Sequence, residues 1–180
     1  SELLATDRAA GYVEAVCHEL EATAAALEPN ADTVFIGGGT PTVLPTPVLA
    51  RLLAAVAAHV APDPATEFTV EANPATVTPD TARLLAAHGV NRISIGAQSF
   101  APAELGVLDR RHDPAEVAQT VACCRAAGIR RISLDLIFGI PGQSLASWDA
   151  SLAAALALDP EHLSCYCLTY EPDTPLAARR

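Results

Sequence analysis

Five short β-rich runs, at 32–36, 67–71, 92–96, 131–138 and 162–169, alternate with stretches whose apolar residues recur at helical spacing, such as 48–60. This alternation constrains the chain more than any other feature. Successive strand–helix units joined by right-handed crossovers lay their strands parallel in one sheet, either open and doubly wound or curled into a barrel. The helix boundaries are written into the chain. Thr78-Pro79 and Asp113-Pro114 each set an N-cap residue before a proline at the first helical position, and Glu116 completes a capping box with Asp113. Gly89 and Gly128 fall where a left-handed C-cap is wanted. A further Ala-rich helix, about 5–27, precedes the first run.

The choice between the two architectures turns on where the polar residues lie. Each run finishes in residues that an apolar strand core does not select: Gly37-Gly38-Gly39-Thr40, then Glu71 and Asn73, Gln98, Asp135, and Thr169 followed by Glu171. In a parallel β/α barrel the C-terminal strand ends converge on one site, and polar groups delivered there by five runs are what such a site requires. Ser133, Asp135 and Ile137 share one strand face by alternation, as do Cys165, Cys167 and Thr169. Asp135 sits between Leu134 and Leu136, where a carboxylate is costly unless paired, so it is expected to have a polar partner such as a ligand hydroxyl. The plainer readings stay open at single positions: the glycine run serves equally as a tight turn, and Glu71 and Gln98 as wet rim residues. The run is not a dinucleotide fingerprint, because Thr42 holds the third glycine position, and no Gly-Lys-Ser/Thr follows to make a phosphate loop.

Composition removes several classes of function. Lys+Arg 11 against Asp+Glu 21 leaves a net charge of -10, which repels phosphate backbones, so no nucleic-acid partner is expected. No apolar run approaches the ~20 residues needed to span a bilayer, so no transmembrane segment is expected. The five cysteines lack the spacing of a secreted disulfide framework, which fits a reducing cytoplasm. Cys17, Cys123 and Cys124 are expected to pack as small hydrophobes; Cys165-x-Cys167, without a second pair, is assigned a packing role as well. His112, beside Arg110 and Arg111, is the one histidine in a polar cluster near the strand ends. With no methionine, the chain shows no obvious translation start and reads as part of a longer one.

Four segments in order, Val34-Phe35-Ile36-Gly37-Gly38-Gly39-Thr40-Pro41-Thr42, Val70-Glu71-Ala72-Asn73-Pro74, the stretch from Gly89 through Gln98 to Phe100, and Asp135-Leu136-Ile137-Phe138-Gly139-Ile140-Pro141-Gly142-Gln143, resemble the radical S-adenosylmethionine (SAM) heme-pathway family. That family includes oxygen-independent coproporphyrinogen III oxidase and a related heme chaperone. Leu108-Asp109-Arg110-Arg111-His112 resembles the chaperones' Leu-Gly-Arg-x-His, with Asp109 in place of glycine. The segment from Ser164 to Leu176 resembles their Ser-x-Tyr-x-Leu-Thr-x-Glu-Pro-Gly-Thr-Pro.

The resemblance implies an α/β fold, a partial parallel (β/α) barrel of the radical SAM type forming one domain over 1–180. Within it 1–28 is a leading helix and 29–180 carries the strand–helix repeats, cut before the cluster loop and after about the sixth strand. It implies a SAM site in which Gly38, Gly39 and Thr40 offer backbone to the methionyl end and Arg110 pairs with the carboxylate. Gln98 and Asp135 hold the ribose, and Glu71 and Thr169 line the remainder. It also implies a [4Fe–4S] cluster held by a Cys-x3-Cys-x2-Cys loop, a spacing the five cysteines do not contain, so the chain as written is expected to be unable to reduce SAM. The whole protein is then a cytoplasmic heme chaperone that passes heme to acceptor proteins, with heme contacts outside this segment. Coproporphyrinogen oxidation is the alternative, and a non-radical barrel binding another small molecule the second alternative.

Overall fold

The computed structural model describes residues 6–27, 31–60, 65–174 and 176–179. The elements run α1 (Thr6–Leu27), β1 (Thr33–Ile36), α2 (Thr46–Val60), β2 (Glu67–Ala72), α3 (Pro79–Ala87), β3 (Arg92–Gln98), α4 (Pro102–Val107), α5 (Pro114–Ala126), β4 (Arg131–Phe138), α6 (Leu145–Leu156) and β5 (His162–Cys167). The start of the expected leading helix lies outside the described residues. β2 and β3 run past their expected ends, and β5 stops at Cys167, so Thr169 lies beyond it.

All five strands pair parallel in the order β1-β2-β3-β4-β5. A doubly wound sheet reverses its order at a switch point. No reversal occurs here, so successive helices cover the same face and the other face is left to the polar residues. Among the described residues the first strand stands at an edge of the sheet, paired with β2.

The two faces are chemically distinct. Phe68, Val70 and Ala72 of β2, Ile93, Ile95 and Ala97 of β3, and Ile132, Leu134 and Leu136 of β4 enter one buried cluster. They meet Leu49, Leu53 and Val56 of α2, Leu85 of α3, and Val117, Val121 and Cys124 of α5. Burying each of the larger side chains contributes about 1.5–3 kcal/mol, and this term holds the helices to the sheet. A smaller cluster seats Val13 and Cys17 of α1 against Leu52 and Ala55 of α2. Cys17 and Cys124 thus pack as expected. Cys165 and Cys167 do not: both are exposed, because they lie on the edge strand beyond Leu163, the β5 residue that packs against the core.

The helix punctuation forms as written. Thr78 accepts from the Thr81 N–H at 3.1 Å, and the Asp113–Glu116 capping box closes, with the Asp113 N–H donating to Glu116 at 2.7 Å. Gly89 and Gly128 take φ +86° and +95° behind α3 and α5. Asp109 does the same work behind α4: at φ +53° it lets Arg110 N–H reach the Leu105 carbonyl at 2.9 Å, while its own N–H donates to Gly106. The position where the resembling chaperones carry glycine is therefore a left-handed C-cap, which aspartate tolerates better than most residues.

Candidate functional site

The polar face collects its groups at the C-terminal strand ends. There a cleft of about 220 Å³ is lined by Gly39, Thr40, Glu71, Ala72, Asn73, Ser94, Gly96, Gln98, Arg110 and Asp135.

Each wall has a local cause. Beyond β1 the chain turns through Gly38 and Gly39, both at φ +84°, a conformation that glycine adopts without steric cost. The Gly38 N–H donates to Glu71 Oε2 at 3.2 Å and fixes that carboxylate against the turn. Gly37 serves a different need: a Cβ there would lie 2.6 Å from Phe35 Cε1 and 2.9 Å from Glu71 Cδ. At the end of β2, Asn73 accepts from the Ala75 N–H at 3.1 Å and caps a short 3-10 turn over Pro74–Thr76.

On β3 the pairing with β4 slips: Ile95 faces Leu134, but Gln98 faces Leu136. This bulge puts an extra residue into β3, and Gln98 takes φ +62°. Its side chain folds back over Gly96, where an added Cβ would meet Gln98 Nε2 at 2.7 Å. On β4, Asp135 lies within hydrogen-bond distance of the Ser94 hydroxyl through both oxygens, at 3.1 and 3.0 Å. Burial raises the Asp135 carboxyl above its ordinary range, and hydrogen bonds from Ser94 and Ser164, with the charges of Arg92 and His162, pull part of the way back. Nearer the N-terminal ends of the strands, Glu67 stands 3.9 Å from both Arg92 and Arg131.

Gly39, Thr40, Glu71, Gln98, Arg110 and Asp135 of the sequence-derived set line this cleft, and Gly38 stands behind it on Glu71. Thr169 does not line it. β5 ends at Cys167, so the strand face that Cys165 and Cys167 share does not extend to Thr169; within β5 it is Ser164 that pairs with Asp135. Ala72, Ser94 and Gly96 line the cleft without having been singled out in the sequence, and Asn73, singled out at its strand end, was given no ligand role. For Ser94 and Gly96 a signal was available, since both share alternation parity with Gln98.

The donor set suits a zwitterion bearing hydroxyls. Two carboxylates accept from ammonium or hydroxyl groups, an exposed guanidinium with no ion pair among the described residues can donate to a carboxylate, and amides complete the wall. SAM is such a molecule, and these residues fit it. A [4Fe–4S] cluster is not matched: among the described residues no group of three or more His, Cys, Asp or Glu could hold a metal ion.

The sequence profile of the Radical SAM superfamily matches residues 11–155. The chain is 41% identical over 169 residues to the heme chaperone HemW of Escherichia coli, covering 93% of this chain and 45% of that protein. It is 41% identical over 162 residues to HemW of Mycobacterium tuberculosis, covering 89% of this chain and 42% of the relative. The chain thus spans less than half the length of these relatives. Among solved structures, E. coli coproporphyrinogen III oxidase (HemN), described as a radical SAM enzyme, superposes with a TM-score of 0.87 at 26% identity, covering 98% of this chain and 41% of that one.

Proposed function

The chain belongs to the Radical SAM superfamily, and from that premise we propose that it is the SAM-binding core of a HemW-like heme chaperone. The observation that carries the chaperone reading is the 41% identity maintained over 93% of the chain with E. coli HemW, against 26% with the oxidase structure. The cleft supports the SAM assignment through its complement of charges and amides.

In this reading Arg110 receives the methionyl carboxylate, and the backbone at Gly39 and Thr40, with Glu71, takes the ammonium end. Asp135 accepts from ribose hydroxyls while Gln98 closes over the sugar. The polar residues act by binding and orienting. Asp135 is the group whose state changes: with its pKa raised by burial and its oxygens only partly paired by Ser94 and Ser164, it gains hydrogen-bond donors when hydroxyls arrive. SAM held by these residues would supply an organic radical only beside a reduced cluster, for which the described residues offer no ligand group. The cluster, the heme and the acceptor proteins belong to the whole protein, which we place in the cytoplasm.

Equilibrium SAM binding and heme titration on the full-length, cluster-loaded protein test this function, alongside a coproporphyrinogen decarboxylation assay. Tight SAM and heme binding without decarboxylation is expected. Decarboxylation would move the protein to the oxidase, and no SAM binding would leave a barrel for another small molecule.

A further inference from the structure

Gln98 is one of four described non-glycine residues with a positive φ, and the only one of them lining the cleft. The Ser99 N–H donates to the Ala97 carbonyl at 2.7 Å, closing a three-residue turn across it. A γ-turn of positive φ is rare and strained, and such a conformation persists only where surrounding groups over-determine it.

Two buried titratable side chains grip this turn, one on each flank. On the upstream side His112, 5% exposed, places Nε2 3.1 Å from the Ala97 carbonyl oxygen. A carbonyl only accepts, so Nε2 carries the hydrogen. Burial lowers the imidazole pKa and keeps the ring neutral, which leaves the buried Nδ1 as a lone pair without a partner. On the downstream side Glu104, 6% exposed, accepts from the Ser99 hydroxyl at 2.6 Å. The same carboxylate accepts from Gln143 Nε2 at 2.9 Å and from the Ser147 hydroxyl. Gln143 in turn accepts from the Gly139 N–H at 2.8 Å, so Glu104 joins the chain leaving β3 to the chain leaving β4 and to α6. Burial acts to raise the Glu104 pKa, but the bonds from Ser147, Ser99 and Gln143 outweigh it and hold the group ionised.

A buried imidazole and a buried carboxylate are costly core choices. His112 meets the backbone carbonyl of the residue immediately before the one strained residue of the cleft, and Glu104 the side-chain hydroxyl of the residue immediately after it. We infer that His112 and Glu104 are positioning residues for Gln98: gripping Ala97 and Ser99, they hold the left-handed turn that lays the Gln98 amide over Gly96 at the SAM cleft. This rests on the reading of the cleft as the SAM site.

The test is a pair of double-mutant cycles on the full-length, cluster-loaded protein, with SAM affinity measured by equilibrium dialysis. His112→Phe keeps the ring and removes the donor; Glu104→Gln keeps the shape and removes the charge. Each should weaken SAM binding roughly fivefold to tenfold in the natural background and less than about twofold when Gln98 is already alanine. His112→Gln, which restores a donor toward Ala97, should recover most of the loss. In the SAM-free protein, hydrogen exchange at the Ser99 amide should quicken in His112→Phe and Glu104→Gln while the Ile95 and Leu134 amides stay protected. Equal losses with and without Gln98, or an unchanged Ser99 amide, would overturn the inference. A variant that no longer folds would assign its residue to core stability and also overturn it. If Gln98→Ala and Asp135→Ala both leave SAM affinity intact, the cleft reading itself fails, and the Ser99 exchange still decides whether the turn is clamped.

Discussion

The Ser94 hydroxyl sits 3.0 and 3.1 Å from the two carboxylate oxygens of Asp135, bridging β3 and β4 on the polar face. One hydroxyl has one hydrogen, so this shared bond satisfies only part of a carboxylate with roughly four acceptor sites. Ser164 adds a second hydrogen bond, and two donors still leave acceptor sites of Asp135 open toward the cleft, where ligand hydroxyls can fill them.

Replacing Asp135 measures what those hydroxyls contribute. Hydrogen bonds to a charged acceptor are worth about 1.5–3 kcal/mol, and each 1.4 kcal/mol is about tenfold in affinity. In the intact, cluster-loaded protein, Asp135→Ala should weaken SAM binding by roughly one to two orders of magnitude. Heme titration should be unaffected, and thermal unfolding should show a folded variant.

The pH dependence of SAM binding carries the same signature. Burial raises the Asp135 pKa in the free protein, so Asp135 adds stability that is present below its unfolded pKa and lost as pH rises through its folded pKa. Ligand hydroxyls prefer the ionised form, so SAM affinity should fall as pH drops through that raised pKa. Ser94 acts to lower the pKa, and Ser94→Ala should move the midpoint upward. A SAM affinity profile that is the same for Asp135→Asn and the natural protein would assign the acid limb to another group.

Gly37 and Gly38 should respond to alanine in different ways. At Gly38 there is open space but φ is +84°, so Gly38→Ala should cost roughly 1 kcal/mol of stability, and Gly38→Asn less. At Gly37 the backbone is ordinary, but the new methyl group meets Phe35 and the Glu71 carboxylate. Because the Glu71 side chain can swing away, Gly37→Ala should melt near the natural protein and lose SAM affinity. Thermal unfolding and dialysis on the two variants separate strain from displacement.

Asp109 offers a stabilising change. It occupies the left-handed position after α4, where glycine has no steric penalty. Asp109→Gly should raise stability by a few tenths to about 1 kcal/mol, with Arg110 left in place by its bond to Leu105. A lower melting temperature would mean that the aspartate side chain makes a compensating contact.

The sequence by itself determined what depends on neighbours along the chain. Thr78-Pro79, Asp113-Pro114-Ala115-Glu116, Gly89 and Gly128 specify helix ends through hydrogen bonds spanning a few residues, and the alternation of strands and helices is legible from side-chain period alone. The polar strand ends were legible too, because Asp135 and Gln98 break an apolar run wherever it folds. What only the tertiary structure decided depends on pairing between strands. The β4–β5 register sets Ser164 beside Asp135, and the bulge opposite Leu136 puts Gln98 into a left-handed turn. The partners Ser94, His112 and Glu104 stand 41, 14 and 6 residues from the groups they serve, Asp135, Gln98 and Gln98. A strand slipped by one residue presents the same local sequence with every side chain on the opposite face, and only the packing of the helices against Ile93, Ile95, Leu134 and Leu136 selects the register that builds the cleft.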